Sequence, residues 1–297
     1  MSFDGRIAVV TGAGRGIGRA YALLLASRGA SVVVNDLGSS VKGEGVDEAP
    51  ASAVAAEIVA AGGKAIADNN DVSAVDGGRA IVDAAVNQFG RIDVLINNAG
   101  VMRWAGLPEA DADNLAAHLA VHVGGSFNTT RAAWPHLVEQ GYGRVVMTTS
   151  SGVFGLPTNL SYAAAKGAVI GLTRSLATAG AKHGIKVNAI APAAATRMGG
   201  DPGSLEISPD LVAPMVAYLA HADCPVTGEM YAAGAGRFAR LFIASTPGFT
   251  HPSPTVEDVA KHWATINDET GYVVPTDLMA WSAAFLAHLS DSKPPEP

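Results

Sequence analysis

The chain has 297 residues, 48% hydrophobic and 16% charged, the composition of a well-buried globule and not of a disordered or coiled chain. Its formal charge of −7, with no basic run or stripe, argues against a nucleic-acid surface. One cysteine, Cys224, excludes an internal disulfide and suits a reducing compartment, and no apolar run reaches the roughly 18 residues of a membrane span.

Met1 to Asp4 leads directly into the first apolar run, so no signal peptide is expected. The terminal Pro-Pro-Glu-Pro is neither a lipidation box nor a peroxisomal tripeptide. The expectation is a cytoplasmic protein. Arg6–Thr11 reads as the first strand, and Thr11-Gly12-Ala13-Gly14-Arg15-Gly16-Ile17-Gly18 leads from it into a helix over 17–28. Glycines at 12, 16 and 18 permit a tight turn and close backbone approach. The free N–H groups and positive dipole of the helix start then face a pyrophosphate. Gly12, Arg15, Gly16, Ile17 and Gly18 are therefore candidate cofactor contacts.

Ala30–Asn35 reads as the second strand, closed by Asp36, whose carboxylate can accept hydrogen bonds from a ribose diol and repel a 2′-phosphate. NAD is expected over NADP. Arg15 pulls the other way, and Asp36 as a plain turn residue is the bland alternative. Leu37 to Pro50, rich in Gly, Ser and acid, reads as a mobile loop near the cofactor. A helix over 50–61 and a strand over Lys64–Ala67 follow. Asp71-Val72 then either faces the adenine or is only a polar strand ending. After a helix over 73–89 and a strand over Ile92–Ile96 come Asn97-Asn98-Ala99-Gly100, where asparagine amides can pin adjacent backbone.

Beyond these lie a helix over 111–138, a strand over Arg144–Thr149, a helix over 160–182, a strand over Ile185–Ile190, a helix over 209–221 and a strand over Met230–Ala233. Strands apolar on both faces and separated by helices predict an α/β protein with a doubly wound parallel sheet, a Rossmann fold with its crevice at the strands' carboxyl ends. The catalytic domain is expected over 1–235. Residues 236–297 form a C-terminal extension with helices near Val256–Asp268 and Thr276–Leu289, read as a cover or a subunit contact.

Tyr162-Ala-Ala-Ala-Lys166 sets a phenol and an ammonium one turn apart on one helix face. The cation is expected to lower the tyrosine pKa, so that Tyr162 can exchange protons with an alcohol near neutral pH.

With these residues placed, the chain resembles the short-chain dehydrogenase/reductase superfamily over roughly 5–235. Thr11 to Gly18, Asp71-Val72, Asn97 to Gly100, Tyr162 to Lys166 and Asn188 to Pro192 match its motifs in order. Asn35-Asp36-Leu37-Gly38, Thr130-Arg131-Ala132-Ala133-Trp134, Tyr142-Gly143-Arg144, Thr196-Arg197-Met198 and Gly234-Ala235-Gly236 are similar to a subgroup, the (3R)-hydroxyacyl-CoA dehydrogenase modules of peroxisomal multifunctional enzymes and their bacterial relatives. The resemblance implies an NAD(P)-dependent enzyme moving hydride between nicotinamide and a secondary alcohol or ketone. Tyr162 would be its general acid/base, Lys166 would hold the nicotinamide ribose, and a strand-end serine would polarise the substrate oxygen. A homodimer or homotetramer through the helices near 111–138 and 160–182 is also implied.

Three positions depart from the family pattern. The usual serine–tyrosine spacing lands on Thr149, whereas counting along the strand from Gly143-Arg144 reaches Ser150; Ser150 is preferred, with Thr149 and Ser151 as alternatives. His122 stands where many members carry a relay asparagine, and reads either as a relay member or as a structural residue among Leu119, Val121 and Val123. Pro192 is followed by Ala193-Ala194-Ala195-Thr196, leaving a backbone contact to the carboxamide at Ala195. The histidines read as scattered, so no metal is expected. Substrate choice is expected in the loops around 101–107 and 195–210, with Arg103, Arg197, Arg237 and Arg240 as candidate partners for CoA phosphates. Alternatives are a steroid or other bulky apolar alcohol dehydrogenase, and a nucleotide-binding regulator that has lost the chemistry.

Overall fold

The computed structural model describes residues 1–198 and 204–291. The strands are β1 (Ile7–Thr11), β2 (Ser31–Asn35), β3 (Lys64–Asp68), β4 (Val94–Asn97), β5 (Gly143–Thr148), β6 (Ile185–Pro192), β7 (Met230–Gly234) and β8 (Arg237–Leu241). They form one sheet in the order β3-β2-β1-β4-β5-β6-β7-β8, parallel from β3 through β7. The order reverses between β1 and β4, so the crevice opens at the carboxyl ends of those two strands.

The strands read as continuous apolar runs because helices cover both faces. Val9, Val33, Leu95, Val146 and Ile190 are completely buried, each burial stabilising the fold by about 1.5–3 kcal/mol. The covering helices are α1 (Gly16–Ser27), α2 (Ala49–Ala60), α3 (Val75–Phe89), α4 (Ala112–His118), α5 (Ser126–Gln140), α6 (Leu160–Gly180) and α7 (Ala213–Ala220). Among the described residues no helix is long and apolar enough to cross a membrane.

Several expectations need correction. The helix expected over 111–138 is not uniformly α. Asp111 caps α4 by accepting from the Asn114 N–H at 2.7 Å. The helix then widens into a π segment over Leu119–Gly125 and continues as α5. Within that widened turn the Ser126 hydroxyl donates to the His122 carbonyl oxygen at 2.7 Å and the Thr129 hydroxyl to that of Gly125 at 2.9 Å. Side-chain donors thus serve carbonyls at the register shift, the kind of irregularity that recurs at functional sites.

The stretch expected to be a mobile loop, Leu37 to Pro50, is a folded strap. Its ends meet through the Asp47 N–H to Leu37 carbonyl bond (3.0 Å). Its crest docks on the loop after β4, where the Met102 N–H donates to the Val41 carbonyl (2.8 Å) and Arg103 Nε to the Lys42 carbonyl (2.7 Å). Composition alone could not show these long-range bonds.

Strand β8 was not anticipated. Ala235 and Gly236, both in the left-handed region (φ 50° and 71°), turn the chain tightly from β7 into β8. The chain divides into compact units Met1–Arg240 and Leu241–Pro297, so the first unit includes most of β8 and runs past the boundary expected at 235. In the second unit the two expected helices are each broken, into α8 (Val256–Lys261) and α9 (Trp263–Ile266), and into α10 (Leu278–Phe285) and α11 (His288–Asp291). Thr255 and Asp258 form a capping box at the start of α8.

Candidate active site

The loop after β1 lines a cleft with the ends of β2, β3 and β4. Gly12, Arg15, Gly16, Ile17, Gly18, Asp36, Asp71, Val72, Asn98, Ala99 and Gly100 all face it, joined by Val101, Val121 and the Thr196–Met198 segment. Two glycines are required by geometry. Gly12 has φ 64°, and a Cβ there would lie 2.8 Å from the Ala99 Cα; a Cβ on Gly18 would collide with the Gly12 carbonyl oxygen. The loop is tied to β4 through Asn98, whose Nδ2 donates to the Thr11 and Gly12 carbonyls, each at 3.0 Å. Thr11 Oγ1 accepts the Asn98 and Ala99 N–H groups in return. The glycine-bare loop at the start of α1 fits a dinucleotide pyrophosphate.

Asp36 reaches back over this loop. Its carboxylate accepts from the Gly14 N–H (2.8 Å) and the Gly38 N–H (2.7 Å), joining phosphate loop and strap. Arg15 lies 3.7 Å from Asp47 of the strap. Asp71 accepts from the backbone and hydroxyl of Ser73, both at 2.8 Å, before α3 begins.

Tyr162 and Lys166 sit one turn apart near the start of α6, whose N-terminal turn abuts the end of β5. The two hydroxyls left open by the sequence separate here. Ser150 Oγ lies beside the Tyr162 ring and favours its phenolate, and it accepts from the Gly152 N–H at 3.0 Å. Thr149 Oγ1 instead donates to the Lys166 carbonyl at 2.9 Å and is buried. Lys166 Nζ donates to the Thr148 carbonyl at 2.7 Å and lies 5.5 Å from the centre of the Tyr162 ring.

The expectation that Lys166 lowers the tyrosine pKa does not hold in this arrangement. Burial raises the Tyr162 phenol above its ordinary value, opposed only by the neighbouring Ser150 hydroxyl. Burial also depresses the Lys166 ammonium to about 7. Desolvation disfavours the charged form of each group.

His122 packs edge-on against Tyr162, ring centres 5.2 Å apart. His118, which the sequence reading did not single out, stacks on His122 at 5.8 Å and meets the Tyr162 edge at 6.1 Å. Its spacing of four from His122 was the available signal. Burial lowers the pKa of both imidazoles, that of His122 well below 6.5, and the nearby Lys166 adds to the effect.

Pro192 ends β6, and neither it nor Ala195 lines the cleft. The Ala195 N–H donates to the Ile207 carbonyl at 2.8 Å, so only its carbonyl side remains for the expected backbone contact. Positions 199–203 of the expected substrate loop lie outside the described residues. The four cation candidates are dispersed. Arg103 is tethered to the strap, Arg240 forms a two-pronged pair with Glu229 (2.7 and 2.9 Å), Arg197 lines the cleft near Asp36, and Arg237 is exposed.

Residues 6–201 match the family model described as short chain dehydrogenase. A Mycobacterium tuberculosis protein, named as a short-chain type dehydrogenase/reductase, is 45% identical over 90% of this chain and 95% of its own length. The peroxisomal multifunctional enzyme type 2 of Drosophila melanogaster is 42% identical over 90% of this chain, a match spanning only 46% of that longer protein. Its full-length structure superposes with a TM-score of 0.82 at 35% identity, over 99% of this chain and 51% of that one. The ordered motifs, the β1–β4 crevice and these similarities agree: the chain belongs to the short-chain dehydrogenase/reductase family.

Proposed function

We propose that the protein is an NAD-dependent oxidoreductase that interconverts a secondary alcohol and a ketone, with a (3R)-3-hydroxyacyl-CoA thioester as its substrate class. The observation that carries this reading is the Ser150–Tyr162 hydroxyl pair with Lys166 one turn along the helix, beside a phosphate-binding cleft. When bound, nicotinamide supplies the hydride chemistry. In ketone reduction the protonated Tyr162 donates its proton to the substrate oxygen as carbon accepts hydride, and Ser150 donates a hydrogen bond to that oxygen as charge builds. In alcohol oxidation the hydroxyl proton returns to Tyr162.

Apolar side chains favour an apolar substrate body. The Leu160 N–H donates to the Ala105 carbonyl, pairing the loop after β4 with the start of α6. These two segments expose Trp104, Leu107 and Leu160, and the turn and loop leading into α6 expose Phe154 and Leu156. The likeness to multifunctional enzymes named hydratase-dehydrogenase-epimerase favours the acyl thioester within this apolar class. Oxidation of a panel of 3-hydroxyacyl-CoAs, steroids and simple secondary alcohols, followed by NADH absorbance, tests it. Turnover of steroids alone would move the substrate class, and dinucleotide binding without any turnover would favour a regulator. The cytoplasmic location and self-association through α5 and α6 belong to the same proposal. An apolar hollow lined by Phe127, Trp134 and Leu176 supports the latter.

NAD is expected to be preferred, because the Asp36 carboxylate closes β2 beside the cleft. Asp36→Ala should erode the NAD over NADP preference by about tenfold to a hundredfold, the worth of a charged hydrogen bond. Equal kcat/KM for both dinucleotides in the native protein would reject this assignment.

Ser150→Ala should lower kcat by about a hundredfold or more, as loss of an oxyanion donor does. Thr149→Ala should instead cost about 0.5–1.5 kcal/mol of stability, by removing a second hydrogen bond to the Lys166 carbonyl, which α6 still pairs within the helix, and change kcat less than about tenfold. The reverse order of the two kcat losses would exchange their roles.

A further inference from the structure

Asn114, His118 and His122 recur every four residues along α4 and the π segment, so they form one stripe of the helix. All three face the backbone of Val101, Met102 and Arg103, the loop that leaves β4. Asn114 Nδ2 donates to the Arg103 carbonyl at 3.0 Å. The Arg103 N–H donates to His118 Nε2 at 3.2 Å, while His118 Nδ1 meets the Asn114 carbonyl at 2.8 Å. Those two contacts fix the tautomer: Nδ1 carries the proton and Nε2 accepts.

His122 Nε2 lies 2.9 Å from the Val101 carbonyl and 3.4 Å from the Val101 nitrogen. One ring nitrogen cannot donate and accept at once, and the shorter contact makes it the donor. Both histidines are buried, 0% and 1% exposed, and each presents its ring to Tyr162. From the other side the strap holds two of these three residues, through Val41 to Met102 and Lys42 to Arg103. Val101 in turn lines the dinucleotide cleft with Ala99 and Gly100.

We propose that Asn114, His118 and His122 are positioning residues, a polar ladder that grips the Val101–Arg103 backbone and so sets the cleft floor against Tyr162. The imidazoles act as neutral hydrogen-bonding groups with fixed tautomers and need not exchange protons. Their low proton affinity matches that use, since a protonated His118 would lose the lone pair that holds the Arg103 N–H. The consequence for turnover rests on Tyr162 being the catalytic acid/base; the grip on the backbone does not.

Amide hydrogen exchange on the dinucleotide-free protein, with His118→Leu, His118→Gln, His122→Leu and His122→Gln, tests the ladder. A glutamine carboxamide can accept from the Arg103 N–H at 118 and donate to the Val101 carbonyl at 122; leucine can do neither. Exchange of the Arg103 amide should rise at least about tenfold in His118→Leu and stay within about threefold of native in His118→Gln, since that bond limits its opening. With a substrate found by the panel, both leucine variants should lose kcat by about tenfold or more with NAD Kd changed less than about threefold, and the glutamine variants should recover most of it. Unchanged Arg103 exchange in His118→Leu, or glutamine variants no better than leucine, would overturn the proposal. Should a leucine variant not fold, Asn114→Ala removes the half-exposed rung, and unchanged exchange over Val101–Arg103 there would equally overturn it. Tyr162→Phe separates the two readings: it should abolish turnover and leave Arg103 exchange as in the native protein.

Discussion

Replacing Tyr162 with phenylalanine is expected to lower kcat by about a thousandfold, within the range that general acid–base groups contribute. NAD affinity should change little, because most of the cleft is built from the loop after β1, Asp36 and the ends of β3 and β4. The substitution removes one oxygen and leaves the ring that packs on His118 and His122. A loss of binding equal to the loss of turnover would show that the phenol holds the dinucleotide and does not move the proton. The same variant calibrates a titration of the free protein. Since burial raises the Tyr162 pKa above 10.0, the native-minus-variant absorbance near ~295 nm should show no phenolate below pH ~10. A phenolate signal near neutrality would mean that Lys166 outweighs burial after all.

Lys166→Met is expected to make the fold more stable, most strongly at low pH. In the folded chain burial depresses the ammonium to about 7, against an ordinary lysine value of 10.5. Between those values the unfolded chain holds more protons than the folded one. Native stability therefore climbs as pH rises from about 7 towards 10.5, by at most about 1.4 kcal/mol per pH unit, and the full penalty of the buried cation is felt below 7. Methionine fills similar space without that charge, offset in part by the hydrogen bond lost at the Thr148 carbonyl. Urea unfolding at pH 6, 7.5 and 9 should show the variant ahead at pH 6 with its lead shrinking upward. Identical pH slopes for both proteins would mean that the amine reaches solvent. A destabilising cation kept beside the phenol is the pattern of a site that trades stability for function.

The layout of the sheet and its crevice was legible in the residue pattern. Apolar β-branched runs alternating with helical segments leave one economical arrangement, since strands buried on both faces need helices between them. The glycine loop, Asp36 and the Tyr162–Lys166 pair were legible for a similar reason: turn geometry and helical spacing are local properties of the chain. Boundaries drifted where several local signals competed, as at β8 and the broken C-terminal helices.

The remaining features needed the folded chain, because each turned on contacts between residues far apart in sequence. Ser150 rather than Thr149 meets the phenol because β5 ends with the Thr149 hydroxyl turned into α6, where the Lys166 carbonyl accepts it. The strap is tied down by bonds to residues some sixty positions away, which its composition does not announce. The direction of the Tyr162 and Lys166 shifts depends on how much water the fold removes from each group, and no spacing in the sequence measures that. His118 became visible as a partner of His122 once the loop after β4 folded back onto their helix.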